Sequence, residues 1–413
     1  MLDRFRVSNF KSLVNVELRP SGLNLFVGAN NAGKTNLCHA LRFLALTTRM
    51  PLDEAARNCT AEPWNLLNVY AGDGHLEMEA DCTLGVEGEL LRFTYELRLS
   101  SGKKAGGRAA DRPFTVSFEC LKVTGEAVDQ KTLLENTAGK VKLLREKRDS
   151  DIEASPLAGP AISLSALGGR SNVETSAPDH ATMLFQLYDL KTNRMANLFK
   201  QYLGSWGYYS LDPVRLRSNV ATPMDRVLSA DGSNLCSVLY TLHNERPRDQ
   251  QRLVEAARLV EPRLDLISFQ SPDPEHVYMF FEDSQGHRFG VQNLSDGTLR
   301  FLAMSFLIIG NRRESGALPA PPLVMIEEPE NGLFVGHLKA LFERIDPSGT
   351  QGQFIFTSHN PYFIDLFDGA LDGIHVVKAG RTHSVVVRPA PSKIQERLGK
   401  FSLGEMHFRG LLE

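Results

Sequence analysis

Long apolar runs are missing from this chain of 413 residues. No stretch approaches the roughly 18–20 residues needed to span a bilayer. The opening "MLDRFRVSNFKS" lacks the apolar core of a secretory leader. These absences set the expectation of a soluble, cytoplasmic protein that reaches a membrane only through a partner. Cysteine is scarce and scattered: Cys38, Cys59, Cys82, Cys120 and Cys236 are odd in number and form no CxxC spacing. That argues against a disulfide frame or a zinc site and for reduced thiols. An excess of charge of one sign is missing too. A formal net charge of −3 gives no global footprint for nucleic acid and leaves only local patches. No internal repeat of 20–50 residues stands out. The hydrophobic share of 42% is ordinary for a globular chain, and the length suits two or three lobes.

What is present is an alternation of strand and helix patterns. "FRVSNF" and "LVNVELR" alternate apolar and polar residues, and "LNLFVG" is a compact apolar strand running into a glycine-rich turn. After that turn, "TNLCHALRFLAL" places Leu37, Leu41 and Leu44 at helical spacing. "HLEMEADCTL", "LLRFTYELRLS" and "FTVSFECLKV" read as an antiparallel sheet with one buried face. The linker "SSGKKAGGRAADRP" among them reads as a surface loop. Residues 122–273 read as an inserted, mostly helical lobe. They hold a basic segment, "GKVKLLREKR", an aperiodic stretch, "ASPLAGPAISLSALGGRSN", and three helical patterns. Strands then resume in "HVYMFFED", "HRFGV", "LVMIEE", "FIFTS" and "GIHVVKAGRTHSVVVR". The expected organisation is one α/β head built from residues 1–121 and 274–413, with the lobe between them.

Two turns in this chain suit an anion. "GANNAGKT", from Gly28 to Thr35, fits G-x-x-x-x-G-K-[ST] directly after a strand and before a helix. Backbone N–H groups at such a helix start cradle phosphates, and Lys34 reaches the terminal phosphates as a mobile charge. Gly28 and Gly33 permit the turn, and the Thr35 hydroxyl is a ligand for Mg2+. The second turn, "LSDGT", places Ser295, Asp296, Gly297 and Thr298 ahead of a strongly apolar helix. After both, "LVMIEEPENGL" ends an apolar strand with Glu327 and Glu328, in the crevice where α/β sheets bind ligands. Adjacent carboxylates repel without a cation, so the pair implies a metal. Glu327 is the candidate for holding it and Glu328 the candidate for polarising an attacking water. "FIFTSHNP" ends another apolar strand with His359, placed to donate a hydrogen bond to a γ-phosphate. Nearly three hundred residues separate Lys34 from Glu328, far more than one βαβ repeat needs.

These motifs, in this order, resemble the ABC-type ATPase heads of the SMC, RecF and OLD kind, in the branch labelled AAA family ATPase. "VSNFKSL" resembles the family's opening segment, "GANNAGKTN" its Walker A loop and "LSDGTLRFLAM" its signature motif. "LVMIEEPENGL" resembles the Walker B strand with its following loop, and "TSHNP" the switch histidine. The resemblance implies a P-loop NTPase ABC-type head, a mixed sheet with an antiparallel β-subdomain carrying the inserted lobe. It implies ATP and Mg2+ as cofactors, with Gly28, Asn30, Asn31, Ala32, Gly33, Lys34, Thr35 and Asn36 around the nucleotide. It further implies that Ser295 and the N–H of Gly297 face the γ-phosphate of a second copy, so that two ATP molecules are sandwiched in a head-to-tail homodimer. Asp296 is expected to turn its side chain away from phosphate or to cap the helix. The chain departs from the family pattern at Glu327, where Asp is usual, at Phe334, where many relatives have His, and in lacking any Gln between Thr35 and Asp129.

The function implied is a slow, switch-like ATPase that controls a separate effector, a nuclease or toxin, in anti-phage defence. About fifty residues follow His359, too few for a Toprim nuclease domain. The alternative is a RecF-like repair factor that clamps DNA through Lys103, Lys104, Arg108, Arg112 and the segment Lys140 to Arg148. A transporter subunit is disfavoured by the missing LSGGQ and Q-loop, and an SMC-type clamp by the missing heptad arms.

Overall fold

The computed structural model describes residues 1–70, 74–102, 112–126, 128–145, 171–188, 193–218, 224–273, 276–309, 321–345 and 352–412. The chain divides into two compact units. The first comprises Met1–Pro20, Asn31–Trp206 and Lys378–Val386; the second comprises Ser21–Asn30, Gly207–Val377 and Val387–Glu413.

The chain begins with β1 (Leu2–Ser8), β2 (Val16–Leu18) and β3 (Leu23–Val27), then α1 (Lys34–Leu46) and α2 (Leu52–Arg57). Six further strands follow: β4 (His75–Val86), β5 (Glu89–Ser101), β6 (Phe114–Thr124), β7 (Lys131–Thr137), β8 (Lys140–Arg145) and β9 (Ser171–Ser176). Short α3 (Met183–Gln186) and amphipathic α4 (Arg194–Gly204) follow in the first unit, to which Lys378–Val386, with most of the last strand, also belongs. Eight of its strands form one antiparallel sheet in the order β2-β1-β4-β5-β6-β7-β8-β9. Period-2 alternation buries Leu76, Met78, Ala80 and Cys82 of β4 with Phe93, Tyr95 and Leu97 of β5. Phe199 of α4 stacks on Phe93 with ring centroids 5.4 Å apart.

The range 122–273 differs from the helical lobe that its pattern suggests. Its first part, β7 to β9, extends the antiparallel sheet, and helices dominate only after residue 183. A tight turn explains the extension. Ala138 and Gly139 both take left-handed backbone angles (φ 47° and 87°), which folds β8 back on β7 and carries Val141 and Leu143 onto the buried face. Residues 103–111 and 146–170, which include most of the basic linker and the aperiodic stretch, lie outside the described residues.

The second unit continues with β10 (Gly207–Tyr209), α5 (Pro213–Leu216), α6 (Leu235–Glu245) and α7 (Pro247–Ala257). An antiparallel trio, β11 (Leu264–Asp273), β12 (His276–Asp283) and β13 (Arg288–Gly290), leads into α8 (Asp296–Ile309). Then come β14 (Leu323–Glu327), α9 (Val335–Phe342), β15 (Gln353–Ser358), α10 (Pro361–Ile364), β16 (Ile374–Ala379), β17 (Ser384–Val387), α11 (Pro391–Leu398) and α12 (Leu403–Phe408). Parallel strands in the order β10-β14-β15-β3-β16 form the central sheet. β3 and β15 are buried along their whole length, and β14 up to Glu327, as parallel strands covered on both faces must be. Phe342, Phe356, Phe363 and Phe367 pack together with centroids 4.7–6.1 Å apart on this sheet. α8 is apolar almost all round and accordingly buried.

Candidate functional site

The pairing register places the ends of three strands at one level. Glu327 of β14 lies opposite Thr357 of β15, and Ser358 lies opposite Val27, the last residue of β3. Glu327 and Glu328, His359 and Gly28 therefore all leave the sheet at its carboxyl edge, the edge at which open α/β sheets bind ligands.

The loop that starts at Gly28 is shaped by its backbone. Asn31 and Gly33 have φ values of 62° and 109°, and α1 then begins at Lys34 with no side-chain cap and no acid in its first turn. Such a helix start presents N–H groups and the positive end of the helix dipole. Asn30, Asn31 and Thr35 are exposed there, whereas Lys34 is 6% exposed. Behind the loop, the Ser384 hydroxyl donates to Ala32 O (2.7 Å) and lies 2.7 Å from Ser12 Oγ, which in turn accepts from Asn36 Nδ2 (2.8 Å). Gly33 fits because it has no side chain: a Cβ there would lie 2.2 Å from Ser384 Oγ and 2.9 Å from Ser12 Oγ.

The two carboxylates are held differently. Glu327 Oε2 accepts the Tyr208 hydroxyl (3.1 Å) from the neighbouring β10. Glu328 takes a left-handed backbone (φ 43°), a conformation that costs a non-glycine residue on the order of 1–3 kcal/mol and gathers at functional sites. Its N–H donates to Thr357 O (3.1 Å), Asn331 Nδ2 donates to its Oε2 (2.7 Å), and His359 Nδ1 lies 3.4 Å from its Oε1. The same turn contains Glu330, which is buried and accepts the Ser358 hydroxyl; Ser358 Oγ in turn accepts the Asn360 N–H (3.0 Å). Burial pushes the Glu330 carboxyl above its usual range, against the Ser358 hydrogen bond that favours its charge.

The Ser295 turn caps α8: Ser295 Oγ accepts the Thr298 N–H (3.0 Å). Asp296 turns to Arg217, with Oδ1 and Nη1 2.7 Å apart, and Arg217 also donates to Leu294 O (2.7 Å). Ser295 and Asp296 are exposed, while Gly297 packs against the turn that follows Glu328; a Cβ on Gly297 would lie 2.5 Å from Gly332 O. Arg300, one turn further along α8, donates from Nη1 to Asn331 O (2.8 Å).

The structure thus groups Glu327, Glu328, His359, the loop start and the Ser295 turn within the second unit, and places Asn31 to Asn36 in the first. Tyr208, Asn331, Arg300, Arg217, Ser12 and Ser384 join these networks without having been assigned from sequence. Only Asn331 had a usable signal, its place three residues after Glu328 in "EEPEN". Among the described residues no three His, Cys, Asp or Glu form a self-contained metal cage. Thr35 lies in the first unit and Glu327 in the second, and each by itself is a hard-oxygen donor of the kind that suits Mg2+. No helix among the described residues is long and apolar enough to cross a membrane.

Comparison with known proteins fits this geometry. Residues 202–365 match the family model described as "AAA domain, putative AbiEii toxin, Type IV TA system". The DNA replication and repair protein RecF of Prosthecochloris aestuarii is 33% identical over 75 residues, 17% of this chain and 20% of that protein. The match therefore spans about a fifth of the relative's length. The SMC head solved in complex with the C-terminal winged-helix domain of ScpA superimposes with a TM-score of 0.53 at 12% identity, covering 96% of this chain and 99% of that one. At this identity the likeness establishes the fold alone, that of an SMC head of mixed α/β build.

Proposed function

We propose that this chain, an SMC/RecF-like P-loop ATPase of the ABC type, binds ATP with Mg2+ on the Gly28–Asn36 loop and hydrolyses it with Glu328 as the base. One observation carries the reading: β14, β15 and β3 end side by side, so both carboxylates and His359 gather where the phosphate loop begins. Lys34 supplies a positive charge to the terminal phosphates, and Thr35 and Glu327 are the residues that would hold the metal. Mg2+, when bound, neutralises charge on the β- and γ-phosphates. Glu328 takes the proton of the attacking water, and its strained backbone and Asn331 contact aim the carboxylate in advance. His359 hydrogen-bonds the γ-phosphate while its other face meets Glu328.

The exposed Ser295–Gly297 turn is read as the contact to the γ-phosphate of a second copy. Two ATP molecules then close a head-to-tail dimer whose nucleotide state sets a separate effector, a nuclease or toxin, in anti-phage defence. The matched family's toxin–antitoxin description supports a place in such systems. Purified chain should hydrolyse ATP in the presence of Mg2+. Lys34→Ala should lose ATP binding, and Glu328→Gln should keep binding while turnover falls at least about 100-fold. A wild-type chain that binds no ATP would end this reading.

A second reading, a RecF-like DNA clamp, is supported by the RecF similarity. Its basic segment fits less well in the fold. On β8, Lys142 sits in register between Glu135 of β7 and Glu174 of β9, which leaves a row of mixed sign. Salt-dependent retention of duplex DNA that disappears when Lys142, Arg145 and Arg148 become Glu would favour the clamp.

A further inference from the structure

Glu328 is the residue on which turnover is proposed to depend, and its carboxylate is not fixed by its own strand. Its Oε2 rests on Asn331 Nδ2 at 2.7 Å, and Asn331 is folded back by its own N–H onto Glu328 O (3.1 Å). Asn331 is in turn gripped from outside the turn. Arg300 of α8 donates to the Asn331 carbonyl at 2.8 Å, and beside it Gly297 lets the first turn of α8 approach Gly332 O so closely that a single methyl would not fit. The Arg300 guanidinium is half-buried, and its Nε has no hydrogen-bond partner among the described residues, so Nη1 to Asn331 is its anchor. Asp296, Asp212 and Glu328 surround it with negative charge that opposes the lowering of its pKa by burial. A side chain spent merely on solubility would not be drawn into such a place.

We propose that Arg300 and Asn331 are positioning residues: Arg300 fixes Asn331 from the first turns of α8, and Asn331 aims the Glu328 carboxylate. The inference rests on the reading of Glu328 as the base.

Asn331 is exposed, which makes it the safer position to vary. Asn331→Asp keeps the shape but puts an acceptor where the donor to Glu328 Oε2 stood, so the contact that aims the carboxylate is lost. kcat should fall about 10- to 100-fold, with ATP affinity unchanged within about two-fold. Arg300→Ala should lower kcat about 10- to 100-fold at near-constant ATP affinity, as misplacement of an aimed group does, and Arg300→Lys should recover part of the loss. In a Glu328→Gln background neither change should lower the residual rate further. A kcat that stays unchanged in Asn331→Asp, or an Arg300→Ala loss that appears in ATP affinity and persists in full in the Glu328→Gln background, would overturn the proposal. Wild-type chain without any ATPase would instead bring down the reading of Glu328 as well, which separates the two failures.

Discussion

Gly33→Ala tests the physical origin of the phosphate loop without touching a charged group. Two costs follow from the structure. The backbone at Gly33 has φ 109°, which an alanine adopts at a cost of about 1–3 kcal/mol. The new Cβ would also sit 2.2 Å from Ser384 Oγ and 2.9 Å from Ser12 Oγ. Relief of such overlap by shifting neighbours costs about 1–3 kcal/mol more. The sum is a destabilisation of about 2–6 kcal/mol, with a reshaped loop that should weaken ATP binding at least about 10-fold. The two components are separable. Ser384→Gly alone forfeits the hydrogen bonds to Ala32 O and Ser12 Oγ, about 1 kcal/mol each. In the double variant the overlap with Ser384 is gone and only the backbone strain and the Ser12 contact remain. Urea unfolding followed by circular dichroism should therefore give a double variant less damaged than the sum of the singles by about 1–3 kcal/mol. Additive losses, or a Gly33→Ala chain within about 0.5 kcal/mol of wild type, would refute this account of the loop.

Two further outcomes are expected. His375 is buried beneath the edge of Phe26, and burial, with the Arg388 charge second, lowers its pKa from 6.5 to about 4. Its contribution is fully present above pH 6.5 and is lost as pH falls towards 4, because the unfolded chain takes up the proton first; the full span is worth about 3 kcal/mol. His375→Leu should flatten the decline of the urea midpoint between pH 6.5 and 4.5, and an unchanged slope would contradict the assignment. Tyr208→Phe removes the 3.1 Å donor to Glu327 and should raise the Mg2+ concentration for half-maximal ATPase several-fold, about 3- to 10-fold, with little effect on nucleotide binding in the absence of metal.

Local chemistry made part of this molecule legible in its sequence. The strand "LNLFV", the turn "GANNAGKT" and the helix from Lys34 occur in that order because glycine permits the turn and apolar periodicity marks its flanks. Fully apolar runs likewise announced β14 and β15, which are buried on both faces. β8 was not legible as a strand because its buried residues, Val141 and Leu143, are only two and are embedded among lysines, and its turn at Ala138–Gly139 is not one of the strongest hairpin signals. The supports of the site were hidden for a different reason. Ser384 reaches Ala32 from 352 positions away, and Tyr208 reaches Glu327 from 119 away. Contacts made across folded elements leave no spacing or periodicity in the chain for a motif to capture. Asp296 sits between these cases: its aversion to phosphate predicted that it would turn away, but the Arg217 that receives it became evident only in the fold.

The most direct test of the central claim is the mass of the Glu328→Gln chain in solution, measured by light scattering with and without ATP and Mg2+. Blocked turnover should trap ATP between two copies and give a dimer that depends on nucleotide and is lost on introducing Ser295→Arg. A mass that does not respond to ATP, or a dimer that forms equally with Ser295→Arg, would contradict it.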